Sequence, residues 1–171
     1  MKVFSPCRTA VFLVVFLCGI APAQSAELID ATQPEELHNI ARGFGSANLE
    51  TDSVGDPLVV GRIDGTRYRM VFHGCTDGEE CTSIRFVAAW VVDRDLTDFV
   101  MGWNRDKRFG KAYLDGEDDP VLEMDVELEH GVSRDNLDGW FEIWEMLLSA
   151  FEMELASATE QDAETPDQSG P

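Results

Sequence analysis

Apolar and polar residues recur along the middle of this chain with two periods, one typical of helices and one typical of strands. The first helical stripe follows Thr32 and Glu35, which have the spacing of a capping box, and Gly43 and Gly45 favour the end of a helix. The pattern predicts a short amphipathic helix between these signals. Its apolar positions are Leu37, Ile40, Ala41 and Phe44.

Alternation with a period of two then predicts four strands, at residues 47 to 52, 58 to 63, 66 to 74 and 82 to 92. Asp64 and Gly65 separate the second and third of them. An Asp-Gly pair between alternating runs is a strong hairpin signal, because both turn positions need positive φ.

A second helix, a second hairpin and a third helix follow. Asp93 or Asp95 can cap the second helix, which ends near residues 105 to 108, and residues 109 to 115 and 121 to 128 alternate around an acidic turn. Ser133 caps the last helix. Its apolar stripe consists of Leu137, Trp140, Phe141, Trp144, Leu147, Leu148 and Phe151.

The element order is therefore α-β-β-β-β-α-β-β-α. Neighbouring strands joined by tight turns imply an antiparallel sheet, and the helical stripes need an apolar surface to cover. We predict an α+β fold in which helices pack on one face of an antiparallel sheet.

The two ends of the chain differ from this middle part. Residues 1 to 26 have the pattern of a secretory signal peptide: Lys2 and Arg8, an uncharged apolar run, and a small-residue cleavage site at residues 21 to 23. Residues 156 to 171 lack apolar periodicity and predict a disordered acidic tail. One α+β domain is expected between them, over residues 27 to 155.

The net negative charge of the chain restricts the classes of partner that it can bind. Removal of Lys2 and Arg8 leaves 11 of the 13 basic residues against 33 acidic ones, so the formal net charge changes from -20 to -22. Such a surface repels phosphate backbones and anionic lipid heads. We expect no nucleic-acid partner, and the mature domain has no segment apolar enough for stable membrane insertion.

Cys75 and Cys81 are the two cysteines outside the signal segment. In an exported protein such a pair favours a structural disulfide, which for a short loop stabilises by roughly 2 kcal/mol. A redox-active or metal-binding pair is the alternative, but the acidic loop between the cysteines would raise a thiol pKa.

The residues with catalytic or metal-binding potential do not form a recognisable site. His38, His73 and His130 have no zinc-ligand spacing, and the acidic turn after Asp115 has Pro120 where a calcium loop requires glycine. We expect no catalytic residues, no metal and no cofactor. A carboxylate-based, metal-dependent enzyme stays open as an alternative.

The single basic cluster along the sequence lies between the second helix and the second hairpin. Together with neighbouring aromatic residues it is the candidate partner-binding site, and internal ion pairs are the alternative explanation for its charges. We call it the 103–113 patch; it consists of Trp103, Arg105, Lys107, Arg108, Phe109, Lys111 and Tyr113.

Three sequence features resemble one bacterial family: Gly55-Asp56-Pro57, a strand ending in Phe-His-Gly-Cys at residue 75, and the run Trp-Asn-Arg-Asp-Lys-Arg-Phe-Gly-Lys-Ala-Tyr-Leu-Asp from 103 to 115. This is the YbjN family, described as sensory transduction regulators. The resemblance covers roughly residues 30 to 152. It implies a fold similar to type III secretion chaperones, an α-β-β-β-α-β-β-α sandwich that often forms dimers and binds other polypeptides. It implies no reaction, cofactor or catalytic residue.

These observations favour a periplasmic or secreted, non-enzymatic binding or adaptor domain. An exported regulator cannot contact cytoplasmic transcription machinery, so we expect an envelope protein as its partner, with a homodimer as a further expected state. A purely structural periplasmic protein is the remaining alternative.

Overall fold

The computed structural model describes residues 28–161, with the side chain of the last residue left aside, so the predicted signal segment lies outside the described residues. The element order is the predicted one, and the short first strand is present. The elements are α1 (Pro34–Phe44), β1 (Ser46–Thr51), β2 (Pro57–Ile63), β3 (Thr66–His73), β4 (Ser83–Ala89), α2 (Thr97–Asp106), β5 (Lys111–Leu114), β6 (Pro120–Glu127) and α3 (Arg134–Gln161).

The strands form one six-stranded antiparallel sheet in the order β1-β2-β3-β4-β6-β5. Asp64 and Gly65 make the turn between β2 and β3 with φ of 49° and 94°, which pairs Ile63 with Thr66. The Asp-Gly hairpin prediction is confirmed. This turn also decides which side chains of β2 and β3 share a face, because side chains alternate along a strand.

One face of the sheet packs on α3. Phe86 of β4 lies 5.0 Å from Phe141 and 5.4 Å from Trp144 between ring centroids, and Phe151 lies 4.7 Å from Trp90 and 4.8 Å from Trp103. α1 and α2 pack into the same core. The predicted α+β class, with helices on one face of an antiparallel sheet, is confirmed.

The capping box predicted at the start of α1 does not form. The backbone N–H and the hydroxyl of Thr32 both donate to Oδ1 of Asp30, at 2.9 Å and 2.6 Å. Gln33 takes the cap position without a side-chain hydrogen bond, and Pro34 is the first helical residue. Proline has no N–H to satisfy there, so the helix begins well without the box.

The starts of the other two helices fit their predicted caps more closely. The carboxylate of Asp95 accepts the backbone N–H of Thr97 at 2.9 Å, although the cap position itself is Leu96. The hydroxyl of Ser133 accepts the N–H of Asn136 at 3.2 Å, as predicted.

α3 is longer than its sequence stripe predicts. It has 28 residues and continues past Leu155 to Gln161, so residues 156 to 161 are helical and not disordered. Arg94 holds this last part, donating from Nη1 to the carbonyl of Thr159 at 2.6 Å. The rest of the predicted tail lies outside the described residues. Within residues 28–161, none of the helices has the length and apolarity that crossing a bilayer requires.

A disulfide joins Cys75 to Cys81, which confirms the predicted pairing. The loop between them folds on itself, because Thr76 and Glu79 exchange backbone hydrogen bonds of 2.7 Å and 3.0 Å. Gly78 turns this loop at φ 79°, close to the carbonyl of Gly55 in the β1–β2 turn. The covalent link therefore fixes the loop beside that turn.

β5 is an edge strand, and a helix side chain occupies its free edge. The side-chain amide of Asn104 donates from Nδ2 to the carbonyl of Ala112 and accepts the N–H of Ala112 at Oδ1, both at 2.8 Å. This pair reproduces the bonds that a neighbouring strand would make. It therefore satisfies backbone groups that an edge otherwise leaves free for another chain.

Tyr68 is buried in the core with its hydroxyl. The side chain is 1% exposed, and within the described residues no atom hydrogen-bonds its Oη. Gly61 stands opposite Tyr68 on β2, where a Cβ would come 2.6 Å from the ring. Burial raises the pKa of Tyr68 to about 12.

We expect Asn104→Ala to lower the free energy of unfolding by about 1–3 kcal/mol, because it exposes two paired backbone groups of β5. Urea unfolding followed by tryptophan fluorescence measures the loss. Asn39→Ala is the matched control, since Asn39 is exposed and makes no described side-chain hydrogen bond. Equal midpoints for the two variants would contradict this role of Asn104.

We expect Tyr68→Phe to flatten the alkaline loss of stability. The folded protein keeps the Tyr68 proton up to a pKa of about 12, whereas an unfolded tyrosine loses it near 10. Stability from this group is complete below pH 10 and falls as the pH rises towards 12, by at most about 1.4 kcal/mol per pH unit.

Urea unfolding at pH 8, 10 and 11 measures this difference for the wild type, Tyr68→Phe and Tyr113→Phe. Tyr113 is the other tyrosine of the chain and is 43% exposed, so its variant should keep the wild-type slope. A wild-type slope in Tyr68→Phe as well would show that other groups cause the alkaline loss.

Candidate functional site

Trp103, one of the three aromatic residues of the 103–113 patch, is an internal anchor. Trp103 is 2% exposed, and its Nε1 donates to the carbonyl of Gly110 at 3.2 Å. Gly110 permits this turn because a Cβ there would lie 3.0 Å from Leu147 and 3.1 Å from Leu122. Together with Asn104, Trp103 fixes the passage from α2 into β5.

Most charges of the patch have partners inside the domain. Arg105 and Asp106 are bidentately hydrogen-bonded at 2.9 Å, which raises the pKa of Arg105 and lowers that of Asp106. Lys107 bonds Glu154 of α3 at 2.5 Å and lies 5.1 Å from the centroid of the Trp103 ring. For Arg105 and Lys107, these contacts are the internal ion pairs that are the alternative to a partner-binding role.

Arg108 and Phe109 form the part of the patch that faces solvent. The Arg108 guanidinium lies 4.9 Å from the centroid of the Phe109 ring, which is 37% exposed and meets Trp140 edge-on at 5.9 Å. A binding role for these two residues stays a prediction.

Lys111 and Tyr113 lie on the outward face of β5. Lys111 donates to the carbonyls of Asn104 and Lys107, both at 3.3 Å. Ala112, between Lys111 and Tyr113, points into the core. The patch therefore extends from the end of α2 to β5, and Lys111 links the two by its bonds to the α2 end.

The face of the sheet opposite α3 carries no described helix. Its side chains are apolar, basic and acidic in separate regions, and many of them are partly or fully exposed. We call this surface the open sheet face. Its main members are Leu58, Val60, Arg62, Arg67, Arg69, Val71, Arg85, Val87, Lys111, Tyr113, Val121, Glu123 and Asp125.

Three arginines of β2 and β3 form a cluster on the open sheet face, which we call the arginine patch: Arg62, Arg67 and Arg69. The register places Arg62 directly opposite Arg67, and Arg69 follows two residues later on the same strand. All three are exposed. None has an ion pair within residues 28–161, and Arg62 donates only to the carbonyl of Gly65, at 2.8 Å.

Arg85 of the neighbouring strand β4, unlike the arginines of the patch, forms ion pairs within the described residues. It bonds both carboxylate oxygens of Asp125, at 2.7 Å and 3.2 Å, and lies 3.3 Å from Glu123. The bond to Asp125 is the main cause of its raised pKa. Arg85, and not the arginine patch, thus binds these two acidic side chains of β6.

A shallow depression of about 320 Å³ adjoins the patch between β3 and β4. Arg67 and Arg69 line one side of it, and Val87 and Ala89 line the other. It combines cationic and apolar walls, which suits a ligand that carries both acidic and apolar groups.

Sequence reasoning missed this cluster because the three arginines are not contiguous. Along the sequence only the basic cluster between residues 105 and 111 is apparent, whereas the fold brings a second one together in space. The signal was present: the turn at Asp64 and Gly65 sets the register, and alternation then places Arg62, Arg67 and Arg69 on the face opposite Tyr68.

Residues with catalytic or metal-binding potential are dispersed. Within the described part of the chain, no group of three or more His, Cys, Asp and Glu side chains could hold a metal ion. His38 lies beside the carbonyl of Ala47, with Nε2 at 3.2 Å, far along the sequence from the other two histidines. The arrangement thus offers surfaces for binding and no described metal centre.

Acidic side chains at two turns have a structural use. Oδ1 of Asp52 accepts the N–H groups of Val54, Gly55 and Asp56, and the bond from Val54 is the main cause of its lowered pKa. Oδ1 of Asp115 accepts two N–H groups of the β5–β6 turn in the same way. The acidic turn after Asp115, which lacks the glycine of a calcium loop, is therefore ordered by hydrogen bonds between this carboxylate and backbone N–H groups of the same turn.

A groove with apolar side chains in its lining lies between the start of α1, the end of β1 and the disulfide loop. It has a volume of about 460 Å³ and includes Leu49 and Cys81 in its lining. Its rim carries Glu35, Glu50 and Glu80. This groove has the charge sign of the whole chain, whereas the arginine patch has the opposite sign.

Comparison with known proteins supports the resemblance carried by the sequence. The model of the YbjN family, with the description "Putative bacterial sensory transduction regulator", matches residues 33–157. No curated protein matches the chain. The family match spans from the start of α1 into the last turns of α3, and so includes the whole sheet. The chain belongs to the YbjN family.

Proposed function

We propose that this chain is a non-enzymatic regulatory domain that acts in the cell envelope by binding another protein through its open sheet face. The observation that carries this proposal is the arginine patch: three exposed arginines without an ion pair in residues 28–161, on a sheet face that no described helix covers. The family description as a sensory transduction regulator agrees with such a role.

The composition of the open sheet face supports a protein partner. Leu58, Val60 and Val71 are partly exposed there, next to the arginines. Arginine and apolar side chains together are typical of the buried centres of protein interfaces. An isolated charged surface without apolar neighbours would favour solvation alone.

The proposed envelope location rests on the signal pattern of residues 1 to 26 and on the disulfide. Disulfides persist in oxidising compartments and are rare in the cytosol. A regulator in that compartment has to act through an envelope protein, because the transcription machinery lies across a membrane.

We expect a photo-crosslinking side chain at Val71 to capture the partner. Val71→p-benzoylphenylalanine in the disulfide-bonded protein, irradiated in its own envelope fraction, should yield one enriched protein by mass spectrometry. The matched control is the same substitution at Met101, which is 57% exposed on α2, on the helical side of the sheet. Capture of the same protein at both positions, or of none at Val71, would reject the open sheet face as the binding surface.

The same capture from an Arg108→Glu background compares the two candidate surfaces. Loss of the partner in that background would assign binding to the exposed part of the 103–113 patch. Unchanged capture supports the open sheet face. Crosslinks of Val71 to a second copy alone would identify a homodimer interface and overturn the adaptor proposal.

A further inference from the structure

We propose that the arginine patch recognises an acidic, extended polypeptide segment of the partner. This inference rests on the proposed function and names the chemistry of its ligand. The starting observation is an internal conflict in the sheet: Arg62 and Arg67 stand directly opposite each other on neighbouring strands. Like charges at such positions destabilise a sheet, so folding stability does not explain this pair.

The described part of the chain does not supply an anion that would relieve this repulsion. Within residues 28–161, Glu123 and Asp125 bond Arg85, and none of the carboxylates pairs with Arg67 or Arg69. This is notable in a chain with 33 acidic residues and 13 basic ones. An acidic group from outside would convert a repulsive cluster into charge-assisted hydrogen bonds, which arginine makes bidentately to carboxylates.

The spacing of the arginines suits an extended ligand. Arg67 and Arg69 are two residues apart on β3, about 7 Å along the strand. Two carboxylates at alternate positions of an extended segment have the same separation. Val87 and Ala89 form the other wall of the depression beside them, so apolar groups of the ligand also find contacts.

The net charge of the chain favours a short acidic segment over a long polyanion. At physiological salt, charges interact over about 8 Å, so a segment that touches the patch is attracted locally. A nucleic acid or an anionic membrane would extend beyond the patch over the acidic remainder of a chain with formal charge -20. We therefore choose a polypeptide as the ligand.

Isothermal titration calorimetry with a synthetic peptide that alternates glutamate and valine tests this inference. We expect saturable binding to the wild type that weakens with added salt, and a loss of about tenfold or more in Arg67→Glu and in Arg69→Glu. A peptide with glutamine in place of glutamate should bind at least tenfold more weakly.

Arg42→Glu is the matched control. Arg42 is exposed at the end of α1 and has no ion pair within the described residues, so its variant changes the net charge equally and leaves the patch intact. We expect it to keep most of the wild-type affinity. An equal loss in Arg42→Glu and Arg67→Glu would show that only net charge matters, and would overturn the inference.

Urea unfolding of the same variants separates binding from folding. Arg67→Glu places a carboxylate opposite Arg62, so we expect stability equal to or above that of the wild type, together with lost peptide binding. A variant that is less stable than the wild type would show that Arg67 serves the fold, and would overturn the inference. Tighter binding of anionic lipid vesicles or single-stranded DNA than of the peptide would also overturn it.

The outcomes distinguish this inference from the proposed function. If Val71 captures an envelope protein while the acidic peptide fails to bind, the function stands and the ligand chemistry is wrong. If the peptide binds at the patch while Val71 captures nothing, the ligand chemistry stands and the envelope adaptor is wrong.

Discussion

The packing of the α3 aromatic stripe on the sheet is the interaction on which the rest of the structure depends. Phe141, Trp144 and Phe151 are fully buried. Phe141 and Trp144 contact Phe86, and Phe151 contacts Trp90 and Trp103. Because side chains alternate along each strand, this contact assigns every second residue of the sheet to the core. It also assigns the intervening residues to the other face, which explains why arginines and valines of four strands appear side by side there.

The residues that carry the family resemblance mainly hold the fold. Trp103 and Asn104 bind the backbone of Gly110 and Ala112, and Asp115 organises the following turn. These contacts close the β5 edge against α2 and leave few of the motif's side chains for a partner. A distinctive motif therefore identifies the family through its architecture, whereas the arginine patch proposed to select a partner lies outside the motif.

Much of the fold could be predicted from the sequence because its signals are local. The period of each segment gave the element order, the Asp-Gly turn gave the first hairpin, and the isolated cysteine pair gave the disulfide. The capping box at Thr32 failed because a competing acceptor, Asp30, lies two residues before it. The helical part of the tail was missed because Arg94, far away in sequence, bonds Thr159 and extends α3.

The candidate site was less predictable for a related reason. Charges that are close in sequence, such as those between residues 105 and 111, are easy to recognise. At a helix end or a turn, however, such charges can form ion pairs with adjacent residues, as Arg105 does with Asp106. Charges separated along two strands meet only through the register. The informative quantity is thus the cross-strand pairing, which a single sequence specifies only where a turn of defined geometry fixes it.

The sign of the arginine patch gives it a selectivity that a basic protein would lack. Long-range repulsion from an acidic chain slows the approach of any extended polyanion, while the guanidiniums of the patch attract carboxylates at contact distance. The repulsion has the longer range and the attraction the shorter one. A ligand therefore has to place its acidic groups in contact with the patch and carry little negative charge elsewhere. Because the cationic part of the open sheet face is small and bordered by valines, the same geometry also requires apolar groups beside those carboxylates. Charge and shape together thus restrict the choice of ligand more than either does alone.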